Sequence, residues 1–104
     1  MITELVRMRI GEDIEDETFI AVVDEMERAF HMELEGYVDS ELFKEADGLW
    51  RMLMHWESKE ALKKASGSMM RSETTLDFRN CLIPGSVEIS FFDQAGAWRS
   101  ERRI

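Results

Sequence analysis

Apolar residues recur along this chain with two different periods, and the switches between them mark out the elements. Val6, Met8 and Ile10 alternate with Arg7 and Arg9, so residues 2–10 read as a strand. Gly11 and the acidic run through Glu12, Asp13, Glu15, Asp16 and Glu17 make a loop. From about Asp16 the period lengthens. Phe19, Val22, Val23, Met26 and Phe30 lie along one helical face, the acids at its front suit the helix dipole, and Gly36 closes the segment. Residues 37–46, YVDSELFKEA, are of mixed polarity, as expected of a strand near a sheet edge, and Asp47-Gly48 is a hairpin signal. A third strand follows at 49–58. Ser58 suits the N-cap of a helix starting at Lys59, with Ala61, Leu62 and Ala65 on its inner side. Ser66-Gly67-Ser68 is expected to interrupt that helix, with a further helical piece from Met69 to about Arg79. Pro84-Gly85 is a turn, and Val87, Ile89 and Phe91 alternate with Glu88 and Ser90 in a last strand.

The order strand, helix, strand, strand, helix, strand predicts an α+β, ferredoxin-like βαββαβ fold: a four-stranded antiparallel sheet with helices on one face. The third strand, LWRMLMHWES, adds a constraint. Trp50, Met52, Met54 and Trp56 fall on one side of its pleat, and Leu49 and Leu53 on the other with Arg51 and His55. A sheet with one wet face should alternate apolar and polar. Apolar residues on both sides imply two covers, and a chain of 104 residues has helices enough for one. A second copy packed sheet to sheet supplies the other, so the expectation is a homodimer sharing an α+β barrel. The domain is expected to span 1–93, followed by a tail at 94–104.

Composition narrows the class. Hydrophobic content of 44% with 34% charged residues fits a single soluble domain, not a disordered chain. No run approaches the ~20 apolar residues that cross a bilayer, so no membrane partner is expected. MITELVRMRI lacks the continuous apolar core of a secretory signal. Cys81 is the single cysteine, followed by Leu82 and Ile83, and reads as a small buried apolar residue; a cytoplasmic setting is expected. A net charge of -9 opposes nucleic-acid binding. Arg99, Arg102 and Arg103 make a short basic end, read either as a solvated terminus or as a contact for an acidic surface.

Gly36-Tyr37 opening the second strand, Asp47-Gly48 at the hairpin, and Trp56-Glu57-Ser58 leading into Glu60-Ala61-Leu62 resemble the antibiotic biosynthesis monooxygenase (ABM) family, of the dimeric α+β barrel superfamily. The resemblance covers about residues 2–93. It implies a pocket in each subunit between sheet and helices. The family includes cofactor-free oxygenases of polyketide phenols, haem-degrading enzymes and small-quinol oxidases, and it places Trp56 at the pocket wall. Two site patterns are not met. Where the cofactor-free polyketide oxygenases carry an asparagine and a tyrosine, this chain has Met52 and Leu62. The haem-degrading pattern needs an asparagine on the first strand and a histidine on the second helix; here stand Met8 or Arg9, and the second helix has no histidine.

The remaining chemistry is sparse. His31 falls at the end of the first helix, and His55 points away from Trp56 across the pleat; neither has a carboxylate or cysteine at metal-ligand spacing, so no metal is expected. Trp56, Met52, Met54, Trp50, Met8 and Met26 are the candidate substrate-binding residues, as walls of an adaptable apolar cavity for a flat aromatic molecule. Periodicity alone explains most of them as core. Arg7, Arg9 and Arg51 suit ion pairs at a subunit interface, or an anionic substrate if their faces coincide. The expected function is cofactor-independent oxidation of a small aromatic or quinol, with no cofactor and no catalytic residue identified. The alternative is a non-catalytic ligand-binding or structural homodimer, with haem binding as a third reading.

Overall fold

The computed structural model describes residues 1–101. Its elements are β1 (Ile2–Met8), α1 (Asp16–Ala29), β2 (Tyr37–Lys44), β3 (Trp50–Trp56), α2 (Lys59–Met69), α3 (Leu76–Cys81) and β4 (Glu88–Asp93), with 3-10 turns at His31–Glu33 and Glu73–Thr75. The sheet order is β2-β3-β1-β4, and each neighbouring pair is antiparallel. This is the ferredoxin-like α+β arrangement that the element order predicts, with β1 and β3 central and the mixed-polarity β2 at an edge.

Register decides which residues share a face. Trp50, Met52, Met54 and Trp56 stand opposite Met8, Val6, Glu4 and Ile2, and all four of these β3 side chains are buried. On the other face Arg51, Leu53 and His55 stand opposite Arg7, Leu5 and Thr3, and these six are intermediate in burial. The inner face meets the helices. Phe19 of α1 packs edge-on against Trp50 at 4.9 Å between ring centroids and stacks on Phe78 of α3 at 5.9 Å. Phe19, Val23 and Met26 are the buried residues of α1, the stripe that its helical period predicts.

Gly36 fixes how α2 meets the sheet. It has φ 85, in the left-handed region, and a side chain there would collide with the Ala61 methyl. Its carbonyl accepts from the Glu57 backbone N–H at 2.8 Å, tying the entry of β2 to the exit of β3. Ser58 then caps α2, its hydroxyl accepting from Ala61 N at 3.2 Å.

Three expectations need correction. α2 runs unbroken through Ser66-Gly67-Ser68 to Met69. An interior glycine costs ~1 kcal/mol against alanine, too little to end a helix whose Leu62 and Ala65 are buried, and the Ser68 hydroxyl donates back to the Lys64 carbonyl at 3.2 Å. The break falls instead at residues 70–72, so the helical piece expected from Met69 is the 3-10 turn followed by the short α3. α1 stops at Ala29 rather than near Gly36, because Phe30 leaves helical geometry (φ -120, ψ -73) and His31–Glu33 tighten into a 3-10 turn. Among the described residues no helix is long and apolar enough to cross a membrane. Arg102 and Arg103 lie outside the described residues.

Phe19 is wholly buried, whereas Trp98 beyond β4 is 92% exposed. Phe19→Ala is expected to lower unfolding free energy by about 3–5 kcal/mol. Trp98→Ala should stay within about 0.5 kcal/mol of wild type. Urea unfolding of both variants checks the contrast.

Candidate functional site

A cavity of about 450 Å³ lies between the sheet and the helices. The sheet contributes Glu4 and Val6 from β1, Met52, Met54 and Trp56 from β3, and Ile89 from β4. The helices contribute Met26 from α1, Ala65, Ser66 and Met69 from α2, and Phe78 and Arg79 from α3. Exposed Met70, Ile83, Pro84 and Val87 line it along the connections between elements. Alternation in β1 and β3 and the turned-in stripe of α1 make most of this wall apolar, and the methionines give it adjustable shape.

Of the residues singled out in the sequence, Trp56, Met52, Met54 and Met26 therefore meet at one cavity. Trp50 and Met8 do not. They face each other at the far end of the same two strands, where Phe19 fills the space above Trp50 and Lys44 Nζ sits 5.5 Å from its ring. A period-two pattern assigns a face but not a position along the strand, which is why all four inner β3 residues looked equivalent.

The end of the cavity marked by Trp56 is polar, and it is built from residues outside that set. Glu4 sits on the inner face of a central strand and is 7% exposed. Trp56 Nε1 donates to Glu4 Oε1 at 3.0 Å. His31, 4% exposed, lies edge-on to Trp56 at 5.9 Å and stacks on Tyr37 at 5.8 Å. Its Nδ1 pairs with Glu27 Oε2 one helical turn back, and Glu27 Oε1 is buried with no hydrogen-bond partner. The Tyr37 hydroxyl and Ser40 Oγ share a 2.5 Å hydrogen bond.

Burial pushes the Glu4 carboxyl above its ordinary value; the Trp56 hydrogen bond and the charge of His31 oppose that rise, and the Glu27 charge adds to it. Burial likewise raises the Tyr37 phenol and the Cys81 thiol. Glu4 had a signal in the sequence: stepping back by twos from Met8 and Val6 lands on it. For His31 the reading that no carboxylate stands at ligand spacing needs correction, since Glu27 lies four residues before it and pairs with it; its burial had no signal and follows from the early stop of α1.

The other charged candidates lie apart from the cavity. Arg7 pairs with Glu88 at 3.4 Å, Arg9 with Asp47 at 3.2 Å and Arg51 with Glu45 at 3.0 Å. His55 pairs with Asp39 at 2.6 Å. Among the described residues no three His, Cys, Asp or Glu side chains gather as a metal site.

The family model for antibiotic biosynthesis monooxygenases matches residues 1–74. The chain belongs to the antibiotic biosynthesis monooxygenase family. No curated protein matches it. Among solved structures, a variant of SnoaB, a cofactor-independent oxygenase from Streptomyces nogalater, is similar at 17% identity and TM-score 0.74, with 95% of this chain and 97% of that one covered. The monooxygenase from the ActVA-Orf6 gene of Streptomyces coelicolor, solved with the ligand nanaomycin D, is similar at 16% identity and TM-score 0.73, covering 96% of this chain and 92% of that one. Rv0793 from Mycobacterium tuberculosis is similar at 20% identity and TM-score 0.65, covering 91% and 98%. At these identities the structures show the ABM fold.

Because Glu4 holds its proton more tightly in the folded chain than in the unfolded one, the stability it contributes is complete below the ordinary glutamate pKa of about 4.3 and is lost as pH rises through the folded value. Glu4→Gln keeps an acceptor for Trp56 Nε1 and removes the titration. The melting temperature of this ABM protein relative to Glu4→Gln should therefore fall between pH 4 and pH 8, read by thermal melts of both. A constant gap would contradict the burial of an ionisable carboxyl at this site.

Proposed function

We propose that this chain is a cofactor-independent oxygenase acting on a small electron-rich aromatic, a phenol or quinol, held in the cavity between sheet and helices. The observation that carries this reading is the cavity itself: a largely apolar chamber of about 450 Å³ with a hydrogen-bonded polar end formed by Trp56, Glu4 and His31. Family membership supports it, as does the likeness to SnoaB, which is named a cofactor-independent oxygenase, and to a monooxygenase that binds nanaomycin D. A phenolate or quinol can itself give an electron to dioxygen, so the protein need supply no redox group of its own. For a simple phenol the overall change is phenol plus dioxygen to quinone plus water. One oxygen atom enters the ring, and the other leaves as water with both displaced hydrogens. A site that desolvates the ring and orients it beside dioxygen lowers the barrier by restricting geometry and by removing water that would quench the radical pair. Met26, Met52 and Met54 would bound the ring plane, and Trp56 would fix the end at which its hydroxyl lies.

The same proposal includes a homodimer. Leu5, Leu53, Phe43 and Phe92 lie on the sheet face turned away from the helices, with the Arg7–Glu88 and Arg51–Glu45 pairs among them. Phe43 is 46% exposed and Phe92 51%, an apolar area that a second sheet would bury. A binding role without turnover is the second reading, favoured by Met52 and Leu62 at positions where polyketide oxygenases of the family carry asparagine and tyrosine. Tight retention of an aromatic ligand without oxygen consumption would select it.

Oxygen uptake with a panel of naphthols and hydroquinones tests the oxygenase. Trp56→Phe keeps a ring but deletes the donor to Glu4, a hydrogen bond to a charged group worth about 1.5–3 kcal/mol, so kcat/KM should fall roughly ten- to hundredfold. Unchanged uptake in that variant would remove Trp56 from the site. Sedimentation velocity tests the assembly: wild type should run as a dimer and Leu53→Asp as a monomer. A monomeric wild type would contradict the covered-sheet reading.

A further inference from the structure

We propose that Glu4 is the proton acceptor of the cavity, and that the part-buried Glu27–His31 pair behind it is a positioning device that sets its basicity. This rests on the oxygenase reading above and supplies the base that the family's asparagine and tyrosine positions, here Met52 and Leu62, leave vacant.

Four observations converge on Glu4. It is the one carboxylate among the described residues lining the cavity. Trp56 Nε1 holds Oε1, so the carboxylate has a fixed orientation and a second oxygen with which to accept a proton. It is 7% exposed, and a desolvated carboxylate is a stronger base than one in water. The other polar lining groups are otherwise engaged or unsuited: His31 also lines the cavity, but its Nδ1 is held by Glu27. Arg79 is a permanent cation, occupied by Thr75 Oγ1 at 3.1 Å and the Ser72 carbonyl at 3.1 Å, and Ser66 carries a weakly acidic hydroxyl.

The groups around Glu4 and its partner Trp56 come from three elements. Trp56 lies on β3, Tyr37 on β2, and His31 follows α1, which also carries Glu27. His31 sits between two carboxylates. Pairing of its Nδ1 with Glu27 leaves Nε2 as the second polar atom of the ring, and the charge of His31 favours the ionised form of Glu4 while that of Glu27 disfavours it.

The step is balanced with dioxygen as the oxidant. The substrate O–H bond breaks, its proton goes to Glu4, and the O–H bonding pair stays on the phenolate. The phenolate then passes one electron to dioxygen, giving a phenoxyl radical and superoxide. These two recombine through a C–O bond at a ring carbon that bears hydrogen, giving a peroxide. The O–O bond then breaks as that carbon loses its proton, the C–H bonding pair forming the new C=O, and the departing oxygen takes this proton and the one held by Glu4 to leave as water.

The test uses oxygen uptake by the full chain with 1,4-dihydroxynaphthalene as the probe, spontaneous oxidation subtracted, across pH 4.5 to 8. Quenching of protein fluorescence by the probe reports binding in each variant. Glu4→Gln is expected to bind the probe and to lose about a hundredfold or more in kcat. Glu4→Asp, which restores a carboxylate set back by one methylene, should recover part of that loss and keeps the test valid if Glu4→Gln folds poorly. Glu27→Gln should move the acid limb of the pH–rate profile to lower pH, and His31→Gln should move it to higher pH. A merely structural role would lower the plateau without shifting the limb in opposite directions. Wild-type uptake with an unaffected Glu4→Gln variant, or with limbs that stay in place, would overturn this assignment and leave the oxygenase reading standing. Absence of protein-dependent uptake in the wild type would overturn both.

Discussion

A carboxylate on the inner face of a central strand is the constraint around which the site is arranged. Water would solvate Glu4 far better than the apolar wall of β1 and β3 can, and an unpaired charge there would be expelled or neutralised. The Trp56 indole N–H satisfies one oxygen, which orients both side chains at once: the carboxylate is pinned, and the fully buried indole ring is held as part of the wall at the end of the cavity. His31 and Tyr37 pack on that ring, so a single hydrogen bond between two strands organises an aromatic cluster that includes residues from two further segments of chain. Remove the donor, and the carboxylate loses its partner while the aromatic stack loses its anchor.

The rest of the fold supports that arrangement by separating two ends of one sheet. At the Trp50 end the inner face is filled, with Phe19 and Met8 closing it as ordinary core. At the Trp56 end the helices stand away: α1 has already stopped at Ala29, and α2 starts from Ser58 with Gly36 letting its first turn approach the strand. The cavity lies between that part of the sheet, Met26 of α1, Ala65, Ser66 and Met69 of α2, and Phe78 and Arg79 of α3. The antibiotic biosynthesis monooxygenase family thus reaches this chain as a fold whose core is complete at one end and open at the other.

Much of this was legible from periodicity. The six main elements, the hairpin at Asp47-Gly48 and the inner face of β3 follow from alternation, helical spacing and turn residues, because those patterns report local geometry directly. Depth along a strand does not appear in such a pattern, so Trp50 and Met8 looked no different from Trp56 and Met52. Glu4 was hidden by its own polarity: a charged residue invites an outward assignment, although strict alternation from Val6 and Met8 turns it inward. His31 was hidden by a boundary. A helix continued to Gly36 would leave it at a solvated C-terminus, whereas the 3-10 turn after Phe30 swings it beneath Tyr37. Ser66-Gly67-Ser68 misled in the other direction, since tertiary packing of Leu62 and Ala65 overrides weak helix propensity.

The central claim is that Glu4 is an ionisable group held in an apolar enclosure by Trp56. Carboxyl-carbon NMR of the side chain, titrated from pH 3 to pH 8 and assigned with Glu4→Gln, measures this most directly. Glu4 should titrate with a midpoint clearly above the ordinary glutamate value, with the indole N–H resonance of Trp56 moving through the same transition. A Glu4 midpoint at or below that value, or a Trp56 resonance indifferent to it, would mean that the carboxylate is solvated and the site is not the one described.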